Sequence, residues 1–381
     1  MRNSLELNDL LQDGFTRKLA ASFLAKLNSE IGNPLFDPDY VRWAHAHGFS
    51  AEFASVLHLN ESNFENYLSE YNFNKLWPFN NWSRIWVNDK LTLRYTLSDS
   101  RFVRYLPKYY YYTGTNGLRV LADNPNPDPS ESAFLQVLRQ VREFACKPSN
   151  ASCAAGFFKL QYKDERYYMN ETALGAAAIT ECLRNHPNYV FTEYLHPSKS
   201  WEAYSPLIHT IRIMVLNEHG NDPRIIGNYI RVPYDDVGAA NYILHDGTNN
   251  DKYNLYVSID MDTGLYGNGA AVYMNGTAPM THHPDTGAAL SGKLACFEEL
   301  RQVSLDISRW YNNLTFIGFD FGITDQGIKL MEINTLPAVM VSQIHDPLYL
   351  DPFCKRYFEE RLHEIDMLSD AGKHIRNEIL R

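Results

Sequence analysis

The sequence lacks several features that would assign the protein to a common class. No apolar run approaches the roughly 20 residues that span a bilayer, and Met1 to Phe15 are polar and mixed in charge, without the apolar stretch of a secretory signal. There is no dense block of lysine and arginine, and the net charge is −10, whereas a nucleic-acid binder usually carries a basic face. We therefore expect a cytoplasmic protein that neither crosses a membrane nor binds nucleic acid.

Cysteine is also scarce, whereas aromatic residues are abundant. The five cysteines are an odd number without a CxxC pair, which argues against a zinc site or a disulfide framework. Tyrosine occurs 25 times and phenylalanine 20 times. The run Tyr109–Tyr112 is typical of a β-strand buried on one face, since tyrosine favours strands. The alternative is a wall on which a sugar ring or a base stacks.

The first part of the chain has a helical pattern. Apolar residues recur at helix-face spacing between Leu5 and Leu27. Two further short helices are predicted at 38–47 and 61–70. We therefore expect a helical N-terminal segment over residues 1–87.

The rest of the chain has the mixed pattern of an α+β protein. Asn88 and Asp89 can cap a helix that runs to Leu97. The chain is expected to end in one or two helices. The predicted strands are 102–106, 109–112, 144–148, 157–161, 189–195, 207–216, 225–232 and 253–260, and the predicted helices are 130–143, 171–185, 294–310 and 352–379.

A hairpin in the last quarter of the sequence is its most informative element. Two strands, 316–323 and 328–333, are separated by a short turn. Because side chains alternate between the faces of a strand, Glu332 and Asn334 share one face, and the pairing brings Asp320 opposite Glu332. The apolar neighbours on the other face are expected to point into a core; these are Phe319, Phe321, Met331 and Ile333.

The oxygen atoms gathered on the polar face of this hairpin suit Mg²⁺. Two carboxylates and an amide oxygen are hard ligands, and like charges directly opposite each other on a ladder are unfavourable without a cation. The alternative is a half-exposed hairpin whose polar side chains simply face water. We predict a magnesium site formed by Asp320, Glu332 and Asn334.

The hairpin continues into Thr335-Leu-Pro, and this whole segment resembles the metal-binding hairpin of ATP-grasp enzymes. More narrowly, it resembles the sugar-transfer-associated ATP-grasp family. Three other segments add to the resemblance over about residues 85–345: NDK at 88–90, TIRI at 210–213 and HPDTG at 283–287. The resemblance implies an α+β ATP-grasp fold, in which two subdomains, 88–195 and 196–381, sandwich ATP.

The resemblance also implies a nucleotide site. Lys90 and Lys147 match the lysines that neutralise the α- and β-phosphates. Glu193, Tyr194 and Leu195 match the hinge between the two halves, where adenine would meet the backbone and the Glu193 carboxylate.

The lid that follows Lys147 departs from the family pattern. Such a lid is usually rich in glycine, so that backbone N–H groups can close over phosphates. Here the segment 148–156 contains only Gly156. Its small residues can still form the nest, or the lid is stiffer and binds nucleotide less tightly.

Two arginines and two histidines complete the set of candidate residues. Arg212 and Arg231 lie among apolar residues on neighbouring strands, where a guanidinium must find an anion. They either pair with carboxylates of the core or hold the γ-phosphate and the substrate carboxylate.

His283 and Asp285 are the best candidates for substrate contact, although an ordinary turn explains the same residues equally well. His209 is expected to be a core histidine whose hydrogen bonds are satisfied.

The resemblance implies a carboxylate–amine ligase that uses ATP and Mg²⁺. Its partners would be a small-molecule or saccharide carboxylate and an amine, joined through an acyl phosphate in the cytoplasmic biosynthesis of a modified saccharide or a peptide-like product. Two alternatives stay open. One is an ATP-grasp phosphotransferase that stops at phosphorylation, and the other is a nucleotide-binding module without catalysis.

Overall fold

The structure is a computed structural model that describes residues 5–151, 155–234 and 254–379, and its first part is helical. Short polar side chains determine where helices begin: Ser50 and Ser69 each accept a hydrogen bond from a backbone amide of the first turn. The helices of this part are α1 (Leu7–Gln12), α2 (Arg17–Glu30), α3 (Pro38–Ala46), α4 (Ala51–Val56), α5 (Glu70–Leu76) and α6 (Ile85–Asn88).

The helix predicted at 61–70 is wrong. Only a short 3₁₀ turn, Phe64–Asn66, lies there. Asparagine side chains engage the backbone amides instead: Asn60 accepts from the amide of Ser62 at 2.9 Å, and Asn63 accepts from the amide of Asn60 at 2.8 Å. Such local bonds compete with a helix for the same donors.

The first sheet is antiparallel and has the strand order β2-β1-β7-β3-β4-β5-β6. Two helices pack on one face, where Phe134 and Ile179 meet Phe144. The elements of this half are α7 (Lys90–Thr96), α8 (Ser100–Val103), β1 (Tyr109–Gly114), β2 (Gly117–Val120), α9 (Glu131–Val141), β3 (Glu143–Pro148), β4 (Phe158–Lys163), β5 (Arg166–Met169), β6 (Thr172–Leu174), α10 (Ala176–Asn185) and β7 (Tyr189–Glu193).

Three sequence predictions fail in this half. The strand predicted at 102–106 is wrong, because the Asp99 side chain caps α8 by accepting from the amide of Arg101 at 2.8 Å. The helix predicted at 171–185 begins only at Ala176, because β6 pairs with β5 first. The tyrosine run is a strand, but it is buried on both faces, since Tyr109 belongs to the core of the second sheet and Tyr111 packs against Phe134 of α9 with 5.0 Å between ring centres.

The second sheet follows in the order β12-β11-β10-β9-β8-β14-β15, with β13 beside β11. The predicted hairpin is confirmed, with Asp320 opposite Glu332. The elements are α11 (Lys199–Glu202), β8 (Thr210–Leu216), β9 (Arg224–Val232), β10 (Asn254–Ile259), β11 (Leu265–Tyr273), β12 (Gly276–Pro279), β13 (Gly292–Lys293), α12 (Phe297–Trp310), β14 (Phe316–Thr324), β15 (Gly327–Asn334), α13 (Val339–Ser342), α14 (Pro352–Asp366) and α15 (Asp370–Asn377).

The last helix ties the N-terminal segment to the rest of the chain. The Asn377 amide donates to the carbonyls of Leu11 and Phe15 at 3.0 and 2.7 Å. Arg376 donates to the carbonyls of Lys75 and Trp77 at 2.6 and 2.8 Å. These bonds hold α15 against the chain that leads into α6.

The two sheets fall on either side of the predicted boundary between subdomains. The first lies within 88–195 and the second within 196–381, although the boundaries themselves stay predictions. Among the described residues, none of the helices has both the length and the apolar character needed to span a bilayer.

Candidate functional site

A cleft between the two sheets brings together most of the predicted site residues. Its volume is about 180 Å³. The first sheet, the second sheet and the start of α7 all contribute to its walls. The predicted residues that line it are Lys90, Lys147, Glu193, Tyr194, Leu195, Arg231, Asp320 and Glu332.

Part of the cleft lining is apolar, and we call this part the apolar slot; Glu193, at the end of β7, also lines the cleft. The Glu193 amide donates to the Lys108 carbonyl at 2.8 Å, and the Glu193 carboxylate accepts from the Lys108 amide at 3.2 Å. Lys159 places its ammonium 4.3 Å from the centre of the Tyr194 ring. These contacts hold the hinge residues at the edge of a slot that can take a flat ring.

The sequence predictions missed the apolar residues of this slot. They are Ala145, Phe157, Leu207, Ile208 and Met331. One signal was present: Ala145 lies two positions before Lys147 on β3, so the alternation of a strand puts both side chains on the same face.

Lys147 points a cation without a partner into the cleft. Its ammonium makes neither an ion pair nor a hydrogen bond with the described residues. Burial, followed by repulsion from Lys90, lowers its pKa to about 8, although Glu332 acts in the opposite direction. A bound anion would reverse this shift, because it favours the charged form.

Lys90 is the first residue of α7 and lies between the lid and the hairpin. Its ammonium donates to the Ala151 carbonyl at 2.7 Å and lies 3.6 Å from the Glu332 carboxylate. The start of α7 is fixed by Asp89, which accepts from the Thr92 amide at 2.7 Å and from the Ser149 hydroxyl at 2.6 Å. Lys90 therefore joins three elements at the centre of the site.

The lid is only partly described, because residues 152–154 lie outside the described ranges. Ala151 and Ala155 line the cleft, whereas Gly156 does not. Gly156 has φ +75°, and a β-carbon there would lie 2.7 Å from the Tyr189 hydroxyl. The glycine is needed for the turn that follows the lid.

The two arginines have different surroundings. Arg212 forms a buried bidentate pair with Asp320, in which Nη2 lies 2.9 Å from Oδ2. Of the two roles predicted for Arg212, the structure therefore shows the ion pair with a carboxylate of the core. Arg231 is only 5% exposed and donates to the Tyr229 hydroxyl at 3.3 Å. It has no acidic partner within the described part of the chain, although a guanidinium is always charged.

The polar face of the hairpin offers oxygen ligands. Asn334 donates to Asp320 through its amide nitrogen at 3.2 Å, which leaves its amide oxygen available. The Glu332 side chain is partly exposed to the cleft, whereas Asp320 is occupied by Arg212 and Asn334. No group of three or more His, Cys, Asp or Glu side chains suited to a metal occurs among the described residues. The donors that fit Mg²⁺ are thus the oxygens of Glu332 and Asn334, with Asp320 beside them.

The direction of the Met331 side chain differs from the sequence prediction. It was predicted to point into the core, but it lines the cleft beside Glu332. The cause is a β-bulge: Asp320 pairs with Glu332 and Phe321 pairs with Leu330, so Met331 has no partner on β14. A bulge redirects the extra side chain.

The structure does not bring His283 and Asp285 into the cleft. The His283 ring is buried, its Nε2 lies 2.8 Å from the Pro233 carbonyl, and its Nδ1 accepts from the Asp285 amide at 3.3 Å. One ring nitrogen thus serves the turn itself, and the other ties the turn to Pro233.

His209 is buried, but the expectation that its hydrogen bonds are satisfied is wrong. Neither ring nitrogen has a hydrogen-bond partner in the described ranges. Burial, and then the nearby His283, lowers its pKa to about 3, although the Leu207 backbone acts weakly in the opposite direction. The ring is therefore neutral, and it packs against Trp201 with 5.1 Å between ring centres.

Comparison with known protein families confirms the resemblance that the motifs carry. Residues 132–352, more than half of the chain, match a family described as sugar-transfer associated ATP-grasp. This match also confirms the predicted α+β ATP-grasp fold. None of the curated proteins compared with the chain matches it.

Solved structures of ligases show a distant likeness. The D-alanine–D-alanine ligase from Bacillus anthracis is 12% identical, with 77% of this chain and 69% of that chain covered and a TM-score of 0.38. A structure of it complexed with ATP is 11% identical, with coverages of 77% and 68% and a TM-score of 0.39. The D-alanyl-alanine synthetase A from Vibrio cholerae is 12% identical, with coverages of 76% and 68% and a TM-score of 0.43. At these TM-scores the likeness carries no argument about this chain.

Proposed function

The chain belongs to the sugar-transfer-associated ATP-grasp family, and on this premise we propose that it is an ATP-dependent carboxylate–amine ligase. The observation that carries the proposal is a pair of cations in the cleft that have no acidic partner among the described residues. They are Lys147 and Arg231, which both line the cleft. Two such cations, one from each sheet, favour a ligand with several negative charges, such as a nucleoside triphosphate.

ATP would lie along the cleft with its base in the apolar slot. The slot is lined by Leu195, Ile208 and Met331, and the backbone that follows Glu193 can form hydrogen bonds with adenine. From there the phosphates would pass Lys147 and reach Lys90, 3.6 Å from Glu332. The two lysines neutralise the α- and β-phosphates, and Arg231 holds the γ-phosphate or the substrate carboxylate.

Glu332 and Asn334 would hold Mg²⁺, and Asp320 would complete the set. When bound, the metal neutralises charge on the transferred phosphate. Asp320 has a second role, because it keeps Arg212 paired in the core. Lys90 balances the charge of Glu332 in the absence of metal. Its ammonium can move to the phosphates when Mg²⁺ takes its place beside Glu332.

The reaction would proceed in two displacements. An oxygen of the substrate carboxylate attacks the γ-phosphorus, and the bond to the β-phosphate oxygen breaks, which yields an acyl phosphate and ADP. The amine then attacks the acyl carbon, loses a proton and releases inorganic phosphate. The residues of the cleft contribute position and charge neutralisation rather than covalent chemistry. We place the enzyme in the biosynthesis of a modified saccharide or a peptide-like product.

The proposal is tested by product analysis with ATP, Mg²⁺ and paired panels of carboxylates and amines. A ligase yields ADP, inorganic phosphate and a new amide in equal amounts. ADP with a stable phosphorylated product would instead identify a phosphotransferase.

One observation favours a second candidate, a nucleotide-binding module without catalysis. The lid over 148–156 has a single glycine, Gly156, and this glycine does not line the cleft. Binding of ATP in calorimetry without turnover of any panel member would support this candidate over the ligase.

A further inference from the structure

A second, larger cavity adjoins the nucleotide cleft at Lys90 and Glu332. Its volume is about 840 Å³, and it shares Lys90, Ala151 and Glu332 with the nucleotide cleft. It therefore opens where the transferred phosphate would lie. Its size exceeds what an amino acid needs and falls within the range of pockets for larger ligands.

The outer wall of this cavity comes from parts of the chain outside the family match. Trp77, Trp82 and Ile85 belong to the N-terminal segment, and Ile375 belongs to α15. The family match covers 132–352. Because α15 is hydrogen-bonded to the carbonyls of Lys75 and Trp77, this wall is held in place before any ligand arrives.

Trp82 presents a flat apolar surface inside the cavity. Its side chain is 69% exposed. The Arg84 guanidinium lies 5.6 Å from the Trp82 ring and 5.3 Å from the Trp77 ring, and it donates to the Asn81 carbonyl at 2.5 Å. The guanidinium orients the indole, whose exposed surface is available to a ring of the ligand.

The remaining lining is rich in side-chain amides. Asn81, Asn88 and Asn150 line the cavity beside the candidate metal ligand Asn334, and an amide can both donate to and accept from a hydroxyl group. Tryptophan beside several amides suits a ligand with apolar ring faces and many hydroxyls.

Within the described ranges, the lining of the cavity contains three basic side chains, Lys18, Arg84 and Lys90, and three acidic ones. Its acidic side chains already have partners: Glu332 lies 3.6 Å from Lys90, Glu378 lies 3.0 Å from Arg17, and Asp89 caps α7. Lys18 lines the cavity without an ion pair to any described residue. Lys90, which both cavities share, is the cation that a carboxylate beside the transferred phosphate would meet.

We propose that this cavity is the site of the carboxylate substrate and that this substrate is a sugar acid. The sugar ring lies on Trp82, its hydroxyls bind the amides, and its carboxylate reaches the Lys90 end of the cavity. The inference rests on the proposed ligase function. It assigns substrate selection to the N-terminal segment and α15, which lie outside the family match.

The test measures binding without turnover. Calorimetry with a non-hydrolysable ATP analogue and Mg²⁺ present would follow D-glucuronate, D-galacturonate and N-acetylmuramate, with D-glucose and D-alanine as comparisons. We expect at least one sugar acid to bind more tightly than both comparison compounds. Trp82→Ala should raise its Kd by about five-fold, the effect of losing one aromatic contact.

Trp86→Ala is the matched control. Trp86 lies four residues later, is 41% exposed and does not line the cavity. It should leave the Kd of the sugar acid unchanged, and both variants should bind the ATP analogue as the wild type does.

Two results would overturn the assignment. One is that no sugar acid binds while the ATP analogue does. The other is that a sugar acid binds equally well to the wild type and Trp82→Ala. Neither result touches the ligase proposal, which instead fails if the ATP analogue itself does not bind.

Discussion

Arg212 on β8 and Asp320 on β14 form a buried bidentate ion pair across neighbouring strands. Asp320 also accepts a hydrogen bond from the Asn334 amide at 3.2 Å. The carboxylate predicted to bind metal is therefore part of the core of the second sheet. Its neighbour Glu332 is partly exposed and has a lysine 3.6 Å away as its partner. The two carboxylates of one candidate site should respond differently to mutation.

Asp320→Asn should destabilise the protein by about 3–5 kcal/mol, because it leaves the buried Arg212 guanidinium without a compensating charge. The free energy of unfolding from urea titration measures this effect. Glu332→Gln is the control and should lower that free energy by less than about 1 kcal/mol, the usual value for a partly exposed pair. If Asp320→Asn were as stable as the wild type, the Arg212–Asp320 pair would not be needed for the stability of the fold.

Glu332→Gln should retain the fold but lose Mg²⁺-dependent ATP turnover by orders of magnitude. The substitution keeps the size of the side chain and removes the charge that holds the metal. ATP affinity in metal-free buffer should change much less, since the cation contributes nothing there. Turnover near the wild-type rate, measured as release of ADP, would refute the metal assignment.

Lys147→Met should weaken ATP binding by about 1.5–3 kcal/mol, the range for a hydrogen bond to a charged group. The same substitution should raise the free energy of unfolding at pH 7. The pKa of Lys147 in the folded protein is about 8, below its usual value of 10.5, so the charged form costs stability at neutral pH.

Lys163→Met, at the exposed end of β4, is the control for this variant. It should change neither calorimetric affinity nor the urea midpoint. A Lys147→Met protein that bound ATP as tightly as the wild type would take this lysine out of the nucleotide site.

ATP binding should take up protons between about pH 8 and 10.5. Lys147 is lowered to a pKa of about 8 by burial and by Lys90, and phosphate would raise it again. Since the free protein loses this charge as the pH rises through 8, the affinity should fall over the same interval.

Calorimetry in two buffers of different ionisation enthalpy measures the uptake. The arginine of Lys147→Arg stays charged at these pH values. This variant should therefore lack the proton uptake that Lys147 gives the wild type when ATP binds. Equal proton uptake by Lys147→Arg and the wild type would assign the titration to another group.

Local pattern was sufficient to predict the elements around the site. Alternation and turn chemistry predicted the hairpin and the pairing of Asp320 with Glu332, and the match over 132–352 confirms the ATP-grasp fold that its motifs indicated. Capping chemistry predicted that the helix after Asp89 begins at Lys90. Each of these features depends on residues close together in the chain, so the sequence carries their signal directly.

Only the tertiary structure decided how these side chains are used. Arg212 and Asp320 are 108 positions apart, and no local pattern shows that they pair with each other while Arg231 has no acidic partner among the described residues. The bulge that turns Met331 into the cleft depends on how two whole strands fit together. The cavity beside Trp82 exists because α15 returns to the N-terminal segment. Periodicity states which face a side chain takes, but its partner depends on which distant element the packed chain brings to that face.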